Sequence, residues 1–243
     1  MSPGIGPSYS KNREATAMYR LLTPLLLAGL LAGNALAEAT PPVTSLVESA
    51  EARALEGDFD AALPLYERAI AGLGDEPARQ HALRYRYGIV LNALGAREDP
   101  DTFYPLARAQ FSAVLDYLGE GGELEHSAAR VSSALAHTLH QQAPYARSPL
   151  HQSQMLRRAY LLYNDAASGL AREQEWHNLA ITYFNLGQVC EWQGNLEEAI
   201  EWLEKAVALD ARHGFPDLEE DRAYLYALRE QVNPPARASA TAL

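Results

Sequence analysis

His137 and His140 stand three residues apart, so on a helix they share one face and could hold a metal ion between them. His126 and His151 flank that segment, and His151 or a carboxylate could complete a ligand set. No full set stands at diagnostic spacing, so neither a metal nor any other cofactor is expected. The chain shows no glycine-rich phosphate loop, no HExxH pair, no GxSxG elbow and no CxxC pair. A histidine-based hydrolase would also need a nucleophile and an orienting carboxylate, and neither is marked. No catalysis is expected on these grounds. The single cysteine, Cys190, cannot form an intramolecular disulfide; its spacing makes it a small buried apolar residue.

The elements that would carry such side chains are short helices in pairs. In "NLGQVCEWQGNLEEAIEWLEKAVALD" the small residues Gly187 and Gly194 are seven apart, and Ala199, Leu203 and Ala206 follow at steps of five, four and three. The same steps recur through Ala50, Gly57, Ala62, Tyr66 and Ala69. Gly88, Gly95, Ala107, Phe111 and Val114 keep the template, with extra residues after Gly95. Ala136, Ala143, Ala159, Tyr163 and Ala166 keep it again, with a larger addition after Ala143. Both segments of each pair have apolar stripes at helical spacing, and no long alternating strand pattern occurs. Four pairs on one template predict an all-α solenoid, in which each pair buries its apolar face on the next. The two additions read as expanded loops, 96–105 and 143–153, with Tyr104, Tyr145 and Arg147 available for contacts.

This template resembles the tetratricopeptide repeat family over residues 44–213. The resemblance is strongest at Tyr183–Asp210 and Gly57–Ile70. The family's tryptophan-like slot holds Leu46, Arg84, Ser132 and Tyr183, and the family's proline after the second helix is absent. The resemblance implies a concave groove lined by the first helix of each pair. Matched slot by slot, the lining is Tyr85, Arg86, Ile89 and Asn92 in the second pair, and Arg130, Ser133, His137 and His140 in the third. In the fourth it is Phe184, Asn185, Gln188, Glu191 and Trp192; the first pair offers Val47, Glu48 and Glu51. Amides can pair with a peptide backbone, aromatics supply contact area, and arginine can fork onto a carboxylate. The implied role is a protein- or peptide-binding adaptor or scaffold. The lysine–asparagine carboxylate clamp of some family members is incomplete here, because Phe184 and Gln188 occupy two of its slots. A metal- or small-ligand-handling protein using the His137/His140 face, and a self-associating structural module, stand as the alternatives.

The ends and the charge frame that reading. "MYRLLTPLLLAGLLAGNALA" has a basic Arg20, an apolar run and the small-x-small site Ala35-Leu36-Ala37, which predicts a cleaved secretory signal over residues 1–37. Met18 is the expected true start, and the mature protein is expected in the periplasm or secreted, without stable membrane insertion. Residues 38–43 form a linker, 214–233 a capping helix begun at Asp217 with Glu220 completing a capping box, and 234–243 a disordered tail. Losing Lys11, Arg13, Arg20 and Glu14 with the signal takes the formal net charge from −11 to −13. So acidic a chain repels nucleic acid and anionic membranes, and points to neutral or basic peptide partners.

Overall fold

The computed structural model describes residues 41–233; the expected signal, the start of the linker and the tail 234–243 lie outside the described residues. Nine α-helices and one 3-10 turn make up the described secondary structure, with no strand among them. The helices are α1 (Val43–Leu55), α2 (Phe59–Gly72), α3 (Pro77–Arg97), α4 (Pro100–Gly119) and α5 (Ala128–Gln142). They continue as α6 (Pro149–Glu173), α7 (Trp176–Trp192), α8 (Leu196–His213) and α9 (Leu218–Val232). Helices pair in chain order, α1 with α2, α3 with α4, α5 with α6 and α7 with α8, as the four-pair template predicts. The chain divides into two compact units, one ending at Glu125 and the other beginning at His126.

In the first unit the small residues of the template sit where helices approach closely. Ala50, Ala62, Tyr66 and Ala69 are all buried, and Tyr66 stacks on Tyr87 of α3 at 5.4 Å. A Cβ on Gly88 would lie 2.7 Å from the Phe111 ring, so only a glycine admits that ring against α3. The first pair turns at Gly57, whose φ of 77° favours glycine.

The second pair corrects the expected loop 96–105. α3 runs on to Arg97, Gly95 lies inside it under the Tyr104 ring, and only Glu98 and Asp99 separate the helices. The Asp99 carboxylate accepts from the backbone N–H of Asp101 (3.1 Å) and Thr102 (3.3 Å), and Pro100 occupies the first helical position. This cap and proline start α4 early, so the added residues lengthen helices rather than open a loop. Tyr104 is consequently buried.

The second unit repeats the correction. After α5 the 3-10 turn Ala143–Tyr145 leads to Ser148, whose Oγ accepts from the His151 N–H at 3.2 Å, with Pro149 at the first helical position. The addition therefore becomes the first turns of a 25-residue α6. Tyr145 and Arg147 do remain exposed there. The core of the α5, α6 and α7 assembly holds Ala136, Leu139, Met155, Leu156, Ala159, Tyr163, Leu186 and Val189. A second cluster, Cys190, Ala199, Leu203 and Ala206 with Leu225 and Leu228, joins α7 and α8 to α9. Gly187 lies against Leu203, and Gly194 turns the pair at φ 83°. The expected capping helix is α9, Leu218–Val232. The capping box does not form: Asp217 makes no side-chain cap bond, and its carboxylate instead meets Nε2 of His177 at 3.0 Å. Burial of Cys190, with Glu198 nearby, pushes its thiol up to about 12, which suits a packed apolar residue.

Candidate partner-binding face

In the second unit, α5 and α7 are the first helices of their pairs, and Ser133 of α5 and Thr182 of α7 join them through a 2.9 Å hydroxyl–hydroxyl hydrogen bond. Thr182 also donates to the Asn178 carbonyl at 2.7 Å, so Thr182 is the acceptor from Ser133. Around that bond Arg130, Ser133 and His137 on α5 and Ile181 and Gln188 on α7 are half-buried. Ser133 and Gln188 can exchange water for a guest's amides, whereas Arg130 brings a half-buried charge and burial lowers the pKa of His137 to about 4. Glu191 accepts a hydrogen bond from the Tyr224 hydroxyl, so α9 adds a residue to this side of α7. Sequence reasoning did not select Tyr224; its only signal was its place in an amphipathic last helix.

Several expected lining residues are interior instead. His140 is fully buried among Tyr163 and Trp192, with Trp192 edge-on at 4.5 Å. Both its ring nitrogens lack a hydrogen-bond partner, and burial lowers its pKa to about 3. A neutral imidazole packed in this way is not aimed at solvent. Among the described residues no three histidine, cysteine or acidic side chains gather as a metal group. Trp192 packs partly buried against the same cluster. Phe184 is buried edge-to-face on Tyr224 at 5.2 Å, and Asn185 beside it is buried too. For Phe184, Asn185 and Trp192 the reason is common: α7 contacts α5, α6, α8 and α9, leaving only a narrow strip open.

The first unit shows the same narrowing. Tyr85 is buried edge-to-face on Phe111 at 5.8 Å, and Ile89 and Asn92 are buried. Arg86 is half-buried and ion-paired with Glu51 of α1, so its guanidinium already has a carboxylate. The pair spans the first helices of adjacent helix pairs, where a solenoid needs its neighbours tied.

Residues 180–213 match the family model of the tetratricopeptide repeat. The match covers most of α7 and all of α8, including Gly187, Gly194, Ala199, Leu203 and Ala206. Within each unit the other described helices, α9 apart, are likewise paired in chain order. No curated protein matches the chain significantly. Tetratricopeptide repeats mediate protein–protein interaction in general, and the repeat here gives the chain that broad role.

Proposed function

We propose that the chain is a non-catalytic adaptor of the cell envelope that holds a peptide segment of a partner protein against the α5–α7 face. The half-buried strip of Arg130, Ser133, His137 and Gln188, framed by a tetratricopeptide repeat, carries this reading. Gln188 and Ser133 serve a guest backbone, Arg130 a guest carboxylate, and Ile181 an apolar side chain. Export rests on the sequence alone, on the apolar run and the Ala35-Leu36-Ala37 site. Among the described residues no helix is long and apolar enough to cross a membrane.

The test is capture from an envelope extract with the mature chain and with Arg130→Ala/Gln188→Ala. Arg86 is left intact, because removing it would strand Glu51. A protein held by the first and lost from the second, with unchanged helical spectrum and melt, is the expected result. Equal capture by both removes the face from the binding role. Mass measurement of the envelope-fraction protein should give an N-terminus at Glu38; an intact N-terminus or a cytoplasmic protein overturns the export reading.

A further inference from the structure

The second unit carries a feature that the α5–α7 face does not use. Between Glu125 and Asp165 the sequence has no aspartate or glutamate, although the whole chain holds 31. The same interval holds Arg130, Arg147, Arg157 and Arg158. Three of these arginines are exposed together with His151 and Gln154, on the start of α6 and the turn before it. On α6 the residues Leu150, Gln154, Arg157 and Leu161 recur at the spacing of one helical face, with Arg158 at its edge.

That face is apolar as well as basic. Leu150 is 69% exposed and Leu161 58%, the two most exposed large apolar side chains described, and Tyr145 in the turn before α6 is 50% exposed. The arginines also lack carboxylate partners among the described residues. Arg53, Arg79, Arg86, Arg97, Arg222 and Arg229 each meet a carboxylate. The side chains of Arg147, Arg157 and Arg158 make no ion pair or hydrogen bond with any described residue. Arg157 and Arg158 thus stand between exposed leucines on one helix face with no carboxylate partner among the described residues.

We infer that the exposed face of α6 is a second docking surface, and that its occupant is an acidic amphipathic helix of a partner protein. From Leu150 to Leu161 the strip is about 16 Å long, three helical turns. A helix laid along it sets its own apolar residues on Leu150 and Leu161. Its flanking carboxylates then fall on Arg147, Arg157 and Arg158, whose guanidinium forks donate to both oxygens. Charge decides between occupants. Salt screens beyond about 10 Å, so a short acidic helix senses this strip and little else. A polynucleotide or an anionic bilayer spans far more of the molecule and meets its net negative charge. Asp165, exposed one turn past Leu161 on α6, bounds the positive strip at that end.

The experiment is fluorescence anisotropy of the full chain with a labelled synthetic helix of about four turns, leucine at i, i+4, i+7 and i+11 and glutamate elsewhere. Arg157→Glu/Arg158→Glu is compared with Arg68→Glu/Arg212→Glu, which makes the same charge change at two other exposed arginines. All four side chains are exposed, so helical spectra and melts should agree across the three proteins. The expected result is an affinity lowered at least tenfold by the first variant and changed less than twofold by the second. The binding should also fade in about 0.5 M salt, where screening shortens to a few ångströms. Equal loss in both variants means net charge alone acts, and overturns the proposal. So does no binding at about 0.1 mM peptide, or tighter binding of phosphatidylglycerol vesicles or single-stranded DNA than of the peptide. Self-association of the free chain abolished by the first variant would assign the face to a second copy and equally overturn it.

Discussion

His140 should make the second unit acid-labile well above the range where carboxylates titrate. The ring is fully buried on α5, both nitrogens lack partners, and Trp192 and Tyr163 close around it. Burial, and secondarily the neighbouring His137, lowers its pKa from 6.5 to about 3. Between those values the unfolded chain carries a proton on this ring and the folded chain does not. Stability is therefore fully present above about 6.5 and falls as the pH drops toward about 3. Inside that window each pH unit costs about 1.4 kcal/mol, so moving from about pH 7 to about pH 5 removes about 2 kcal/mol. The assay is urea unfolding followed by tryptophan fluorescence. All three tryptophans, Trp176, Trp192 and Trp202, belong to the second unit, so the signal reports that unit. His140→Leu keeps an apolar filling, removes the titration and removes two unsatisfied nitrogens. The variant should be at least as stable near neutrality and should lose about 2 kcal/mol less than the parent over the same drop in pH. Equal losses in the two proteins would refute the reasoning, because a ring that titrates normally in the fold contributes no such slope.

Two further substitutions test the packing. Tyr104→Ala should destabilise the first unit by about 3 kcal/mol or more, while Tyr145→Ala should cost under about 0.5 kcal/mol, because the first ring is buried on Gly95 and the second is exposed. Similar small effects at both would return 96–105 to a surface loop. Gly187→Ala places a Cβ 2.7 Å from Leu203 and 3.1 Å from the Ala199 carbonyl oxygen. Overpacking of about 1–3 kcal/mol should there outweigh the gain of about 1 kcal/mol in helix propensity. Ala199→Leu, at a fully buried site, should cost about 1–3 kcal/mol, and a neutral result at both positions would mean the helix crossing is looser than described.

The helix pairs were legible because small residues recur where helices cross, and a crossing leaves no freedom about size. Gly187 under Leu203 and Gly88 under Phe111 are the same requirement met twice. Most of 96–105, and the part of 143–153 from Pro149 on, are helix rather than loop; spacing alone measures distance along the chain and says nothing about where a helix restarts. The restart signals stood in the sequence: Asp99-Pro100 and Ser148-Pro149 each put a capping side chain before a proline fixed at a helical φ. Asp217 misled in the opposite way. Its type and place suit a cap, but His177 lies close enough in space to take the carboxylate, and no local pattern reports a partner forty residues distant.

The lining residues were less legible than the helices for a related reason. A slot on the first helix of a pair fixes an angle around that helix, whereas exposure depends on what packs beside it. α7 is flanked on most sides, so Phe184 and Asn185 at lining angles are buried while Gln188 stays half open. Charge was averaged in the same manner. Taken over the whole chain, a net −11 points away from acidic partners, yet nearly forty consecutive residues without a carboxylate put Arg147, Arg157 and Arg158 on one end of one helix. Screening over about 10 Å makes the local strip, not the total, the quantity a small partner meets. A peptide on the α5–α7 face, with Arg130 on its carboxylate, and an acidic helix on α6 are therefore compatible on one acidic chain, because each meets the charges within reach of its own surface.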